Sequence, residues 1–261
     1  MHISLIVSTY NRADALLLVL QSIVDQKLQP GEIIIADDGS NDRTKNLILN
    51  FKKNTKLNVI HSFQEDRGFR AAESRNKAIS ITSFDYVVLI DGDMILHPNF
   101  LYDHAKNAKA GFFIQGSRTL LTQNKTIEVI GNNDRNFNVF SPGLMNRLNA
   151  FHSSFLSKIF SIKRNYLEGI KTCNMSFYKK DFLSINGFNN DFVGWGREDT
   201  EFVVRLFNKG INRNTLKFGA IQYHLWHEES NRDSLNENDN ILKKTINEKL
   251  IRCNSGVDKF L

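Results

Sequence analysis

The sequence predicts an α/β fold, a mostly parallel sheet covered by helices on both faces. Two observations carry this. Short apolar runs alternate with amphipathic stretches long enough to be helices. Most of the runs are continuous rather than alternating, as strands buried on both faces require. A third observation locates a site: three predicted strands end on polar clusters, Ser8-Thr9-Tyr10-Asn11, Asp37-Asp38-Gly39-Ser40 and Asp91-Gly92-Asp93. In such sheets ligands gather at the carboxyl ends of the strands, near the topological switch point.

Ile3 to Val7 is the first strand. Asn11 is suited to cap the amphipathic stretch Ala13 to Val24, and Pro30-Gly31 turns the chain. Ile33 to Ala36 is a second strand, Arg43 to Phe51 a helix, and Leu57 to Ile60 a third strand. Residues 70–81 read as helix, and Tyr86 to Ile90 as the strand that delivers Asp91 and Asp93. The pattern loosens after about residue 120, where residues 122–170 are rich in Asn and Ser. Within them, Leu144 to Tyr166 mixes Phe and Leu with Arg147, Lys158, Lys163 and Arg164. That composition suits a basic amphipathic helix on an anionic membrane, or an ordinary helix with a solvated basic face.

Downstream, Asn186-Gly187-Phe188 and Gly194-Trp195-Gly196 are turn-forming. Arg197-Glu198-Asp199 then opens a helix carrying Phe202, Val203 and Leu206, with Gly210 as its stop. A strand begins near Ala220 and leads to His224, Trp226 and His227. Residues 237–252 read as a polar C-terminal helix with Ile241, Leu242, Ile246 and Leu250 on one side.

At 261 residues and 41% apolar composition the chain can bury a sizeable core, as one large domain or a domain with an extension. No apolar run approaches a membrane span, and the N-terminus carries neither a basic leader nor a small-residue cleavage site. A cytoplasmic location is therefore expected. Cys173 and Cys253 lack CxxC spacing and read as two reduced thiols. The net charge of +6 suits an anionic partner, but it is spread along the chain rather than gathered in a stripe. Nucleic acid is not the expected partner.

Asp91 and Asp93 carry the chemistry. Carboxylates this close repel each other and resist desolvation, and a divalent cation relieves both problems and can hold phosphates. His224 and His227 raise the case for a metal, since imidazole with carboxylate suits Mn²⁺ better than Ca²⁺. A Trp between two glycines, just before Glu198 and Asp199, offers a platform for a sugar ring beside a general base. The helix dipole alone also favours acids at that helix start. Together these parts can move a group off a diphosphate, the cation balancing the leaving group while a carboxylate takes the attacking hydroxyl's proton. There is no GxxxxGK[ST] loop and no GxGxxG.

Taken in order, these segments resemble the family 2 glycosyltransferases of the GT-A (Rossmann-like, nucleotide-binding) fold. The C-terminal segment is similar to that of galactosyltransferases and chondroitin-type polymerases. Ser8-Thr9-Tyr10-Asn11-Arg12 and Asp37-Asp38-Gly39-Ser40 look like the nucleotide-binding segments. Arg67-Gly68-Phe69-Arg70 with Ser74-Arg75-Asn76-Lys77-Ala78 looks like the diphosphate-side helix. Asp91-Gly92-Asp93 matches the DxD metal motif, and Gly194-Trp195-Gly196-Arg197-Glu198-Asp199 the acceptor and base motif.

The resemblance implies an inverting transferase of a hexose or N-acetylhexosamine from a UDP-sugar. Thr9, Tyr10, Asn11, Arg12 and Asp38 would serve the nucleoside, Arg70 or Arg75 the diphosphate, and Asp91 and Gly92 the donor. Asp93 would ligate the metal, Mn²⁺ ahead of Mg²⁺, with Asp91 shared between ribose and metal and either His224 or His227 completing the set. Asp199 would be the base, with Trp195, Gly196 and Glu198 on the acceptor. The implied acceptor is a bacterial glycan or glycolipid of the lipopolysaccharide, lipooligosaccharide or capsule kind, with possible peripheral contact to an anionic membrane. Residues 1–120 would form the nucleotide-sugar half, 121–236 the acceptor and base half, and 237–261 a helical extension. A sugar-nucleotide-forming nucleotidyltransferase and a basic nucleic-acid-binding protein are the alternatives. The first lacks its Gly-rich basic loop, and the second rests on pI alone.

Overall fold

The computed structural model describes residues 1–228 and 231–261. Its first part alternates strand and helix: β1 (Ile3–Thr9), α1 (Ala13–Val24), β2 (Glu32–Asp37), α2 (Asp42–Asn54), β3 (Val59–Phe63), α3 (Ala71–Ser80) and β4 (Tyr86–Asp91). Then come β5 (Met94–Leu96), α4 (Phe100–Asn107), β6 (Phe112–Gln115), β7 (Ser117–Leu120) and α5 (Gln123–Asn132). The remainder comprises α6 (Ser154–Phe160), β8 (Ile162–Lys163), β9 (Asn174–Tyr178), α7 (Lys179–Ser184), α8 (Glu198–Asn208), β10 (Asn212–Thr215), β11 (Ile221–His224) and α9 (Leu235–Asn247).

The continuous apolar runs become the middle of an eight-stranded sheet in the order β3-β2-β1-β4-β9-β6-β10-β8. β1 to β4 are mutually parallel, β6 is parallel to β10, and β9 runs antiparallel between β4 and β6. Alternate residues feed opposite cores. Leu5, Val7, Val88 and Ile90 pack with Leu16 on one face, while Ile6, Ile34, Val87 and Leu89 pack with Phe177 and Phe202 on the other. Each such side chain, fully buried, contributes about 1.5–3 kcal/mol. A second sheet, β5-β11-β7, packs beside the first.

The strand order reverses at β1, with β2 on one side and β4 on the other. The crevice therefore opens at their carboxyl ends, where Ser8 pairs with Asp91 and Thr9 with Asp37. Gly39 closes the β2 turn with φ of +93°, and a Cβ there would lie 2.4 Å from the Asp66 Cα. Only glycine fits that approach.

Four expectations are corrected. Asn11 does not cap α1: it adopts φ of +50°, and its side chain accepts from the Asn41 amide at 2.8 Å while its own amide donates to Ser40 Oγ. It stitches two strand-end loops together instead. The third strand begins two residues later than read. Leu144 to Tyr166 is not one helix but a 3₁₀ turn (Arg147–Ala150), the short α6 and β8. Side chains there satisfy backbone groups in ways that break a helix: Asn146 spans Leu120 N and Arg118 O, and Ser153 caps α6. The C-terminal helix stops at Asn247, because Lys249 turns left-handed and the Leu250 amide reaches back to the Thr245 carbonyl.

α8 is held by a fully buried pair, Arg205 to Glu201 at 2.8 Å on both forks. Arg205 also donates to the carbonyls of Ile185 and Gly187, and Thr245 of α9 donates to Glu201. One charged group thus fastens the Asn186-Gly187 turn, α8 and α9 together.

Candidate active site

A cavity of about 570 Å³ opens at the carboxyl ends of β1, β2 and β4. Its wall brings together Thr9, Tyr10 and Arg12 from the first strand end and Asp38 from the second. Arg75 of α3 joins them, with Asp91, Gly92 and Asp93 from the end of β4 and Trp195, His224 and His227 from the second half of the chain. Asn11, Arg70 and Gly196 are not on this wall. Glu198 and Asp199 stand behind Arg75, each bonded to it.

Pairing of the small sheet creates the metal-like cluster. β11 runs antiparallel to β5 with His224 opposite Met94, and the Leu225 amide donates to the Asp93 carbonyl. The His224 and His227 Nε2 atoms consequently lie 3.6 and 3.4 Å from Asp93 Oδ2. His227 donates Nδ1–H to the Glu228 carbonyl at 2.6 Å, which leaves Nε2 turned to Asp93. Arg12 donates to the same carboxylate oxygen at 2.8 Å. Burial works to raise the Asp93 carboxyl, but His224, Arg12 and His227 outweigh it and hold it below the usual range. The other oxygen, Oδ1, is buried without a hydrogen-bond partner. A buried carboxylate oxygen left bare beside two imidazoles fits a cation, and the three donor atoms lie within 4.8 Å of one another. Both histidines reach Asp93, and Asp91 turns to Arg75 instead.

Arg75 is the hub. It is 5% exposed and pairs with Asp91 at 3.3 Å, Asp199 at 3.4 Å and Glu198 at 3.5 Å, while Nε donates to Ser8. Burial opposes its charge, yet the three carboxylates hold it firmly protonated. Burial raises Asp91, assisted by Asp93 and Asp199 against the pull of Arg75. Glu198 is pushed up to about 7, by burial first and by Asp199 second. Asp199 is differently served. Its oxygens accept from the Thr172 amide at 2.8 Å and the Thr172 hydroxyl at 2.6 Å. That arrangement orients the Asp199 carboxylate beside Glu198, whose own carboxyl burial raises.

The loop carrying Trp195 is built by backbone geometry. Gly194, Gly196 and Arg197 all take positive φ, leaving the indole 40% exposed at the mouth. α9 braces it: Asn238 donates to the carbonyls of Val193 and Gly196, and the Gly194 amide donates to the Phe69 carbonyl. Tyr10, Phe69 and Trp195 give the cavity a half-open aromatic rim suited to flat rings. On the opposite side Asp38 accepts from Gln64 and the Arg70 amide, and burial raises its carboxyl. Arg70 thus meets the site through its backbone.

Motif reading quoted Phe69 and Ser74 only as members of the diphosphate-side segments, without a role of their own, and it passed over Arg118 and the Thr172 clamp. For α3 a signal was present: its buried face includes Glu73, Ser74, Arg75 and Asn76, which no apolar core would select. For Thr172 no local signal exists.

Comparison with known proteins agrees with this geometry. The model of "Glycosyl transferase family 2" matches residues 4–183, and that of the "N-terminal domain of galactosyltransferase" matches residues 152–228. The chain belongs to glycosyl transferase family 2, and it is a glycosyltransferase. Chondroitin synthase of Escherichia coli is 26% identical over 85% of this chain and 34% of its own length. Hyaluronan synthase of Pasteurella multocida is 30% identical over 85% of this chain and 24% of its own. The chain thus spans a quarter to a third of the length of these relatives. Among solved structures, S. aureus TarS 1-349 superposes with a TM-score of 0.64 at 15% identity, covering 100% of this chain and 68% of that one. The same fragment in complex with UDP-GlcNAc superposes at 0.60 and 19% identity, over 88% and 60%. These structures share the GT-A fold.

No helix among the described residues is long and apolar enough to cross a membrane.

Proposed function

We propose that the chain transfers a hexose or N-acetylhexosamine from a UDP-sugar to a hydroxyl of a bacterial glycan, with inversion at the anomeric carbon. The observation that carries this is the two-part cluster at the switch point. Asp93, His224 and His227 converge on one another, while Asp91 pairs with Arg75, which also holds Asp199. The TarS fragment solved with UDP-GlcNAc supports a UDP-sugar as donor, and the two polysaccharide synthases support a glycan as acceptor.

In this reading residues 1–120 hold the donor, 121–236 the acceptor and base, and 237–261 brace the acceptor loop. Thr9, Tyr10 and Asp38 take the nucleoside, and Arg75 faces the diphosphate. A divalent cation held by Asp93, His224 and His227, Mn²⁺ ahead of Mg²⁺, would supply positive charge toward the departing diphosphate. Trp195 supports the acceptor ring, Glu198 holds an acceptor hydroxyl, and Asp199 removes the proton of the attacking one. A single base with direct displacement from the opposite face inverts the anomeric centre.

The acceptor is read as a lipopolysaccharide, lipooligosaccharide or capsule precursor at an anionic membrane face. Between Asp134 and Glu168 the sequence has no acid but carries Arg135, Arg147, Lys158, Lys163 and Arg164. The same segment leaves Phe140, Leu148 and Phe155 more than two-thirds exposed. Thermal stabilisation by a panel of UDP-sugars, with and without Mn²⁺, tests the donor assignment. A Mn²⁺-dependent rise for one or more donors is expected, and no rise for any would remove it.

A further inference from the structure

A second cavity, of about 430 Å³, lies beside the first between the ends of β6, β7 and β10. Arg118 stands in the wall of both. Lys171 and Cys173, which flank the Thr172 clamp of Asp199, also line it. The cavity therefore borders both the donor site and the proposed base.

Its electrostatics are one-sided. Four cationic side chains, Arg118, Lys171, Arg213 and Lys217, line it, and no Asp or Glu does. Among the described residues none of the four makes an ion pair. Elsewhere this chain pairs its buried charge carefully, as Arg75 and Arg205 show. Arg213 is 4% exposed and donates through Nη1 to the carbonyls of Tyr166 and Glu168, yet its Nε is buried without a partner. Thr215 Oγ1, on the same wall, is likewise buried and unpartnered. Burial and the nearby Arg118 both press Lys171 toward losing its proton, and Asp199 offsets them only in part. Unpaired donors and cations around an open cavity are costly unless an anion completes them.

We propose that this cavity is an anion subsite for the acceptor, taking a carboxylate or phosphate carried near the hydroxyl that receives the sugar. The inference rests on the transferase reading above and adds the chemical class of the acceptor. Lys171 and Lys217 supply charge at the opening. Arg118 and Arg213 add positive charge from the wall behind them. An anion held there would bring the adjoining hydroxyl toward Asp199, on the other side of Thr172.

The test uses the full chain loaded with UDP and Mn²⁺ and follows binding of three probes by calorimetry. These are a glucuronate-terminated tetrasaccharide, its neutral methyl ester, and a glycerol phosphate oligomer. One or both anionic probes should bind at least about tenfold more tightly than the ester, which is the scale of one or two charge-assisted contacts. Which of them prevails separates carboxylate from phosphate. The double variant Lys171→Gln/Lys217→Gln should lose that preference while keeping wild-type UDP affinity and melting temperature. Both lysines are partly or fully exposed, so their replacement leaves the core intact. UDP binding with no preference for charge, or a preference that survives the double variant, overturns the subsite alone. Failure of UDP to bind the wild-type chain overturns the UDP-sugar donor reading beneath it as well.

Discussion

The Thr172 hydroxyl lies 2.6 Å from Asp199 Oδ1, and the Thr172 amide lies 2.8 Å from Oδ2, so one residue orients both oxygens of the proposed base. Removing the hydroxyl by Thr172→Val should leave UDP-sugar affinity unchanged and lower the transfer rate by about 10- to 100-fold, the worth of one hydrogen bond to a charged group. Thr172→Ser should restore most of it. Steady-state kinetics beside donor calorimetry separates the two effects. A parallel loss of donor affinity would count against a positioning role.

Arg75 answers three carboxylates from a buried position. Arg75→Met should therefore destabilise the fold by about 1–3 kcal/mol, because it leaves three partly buried carboxylates without their shared cation. Urea unfolding measures this directly, and a cost below about 1 kcal/mol would mean that the acids are balanced by other groups.

Glu198 sets a pH dependence whose sign follows from its raised carboxyl, at about 7 in the fold against the ordinary 4.5 of a glutamate. Between those values the folded state binds more protons than the unfolded one, so this group's contribution is full below the lower value and is lost as pH rises through the upper. The slope approaches ~1.4 kcal/mol per pH unit at most. The half-buried His97 and the fully buried His104, both pushed down to about 4, act oppositely, since their stabilisation is lost as pH falls from 6.5. The informative quantity is thus the stability difference between Glu198→Gln and wild type. It should move in favour of the variant from pH 5 to pH 8, and a flat difference would refute the shift.

Gly39 offers a backbone test that removes no charged group. Gly39→Ala must put a Cβ against the Asp66 backbone at positive φ, and should cost at least about 1–3 kcal/mol in thermal or urea unfolding.

Much of this site was legible in the sequence. β2 and β4 are uninterrupted apolar runs and β1 is broken only by Ser4, so both their existence and the polar character of their ends could be read, Asp91 and Asp93 included; β3, with His61 and Ser62 inside it, was placed two residues early. Other parts were not. β9 is a short strand, Asn174–Tyr178, whose place between β4 and β6 depends on partners far away in the chain. Among the described residues Arg118 sits on a four-residue strand that pairs only with β11, and nothing local marks it as facing two cavities. The choice between His224 and His227 was open because sequence spacing cannot show that β5–β11 pairing brings both rings to one carboxylate. Leu144 to Tyr166 misled for a physical reason: its basic and apolar composition suits a helix, while its Asn and Ser side chains bond the backbone out of one.

The central claim is a division of labour between Asp93, on the metal and donor, and Asp199, on the acceptor. It is tested most directly by titrating UDP-sugar into wild type, Asp93→Ala and Asp199→Asn, with and without Mn²⁺, and assaying transfer on the same samples. The account predicts Mn²⁺-dependent binding in wild type, loss of that binding in Asp93→Ala, and retained binding without transfer in Asp199→Asn. Donor binding that is absent in wild type, or lost equally in both variants, would contradict it.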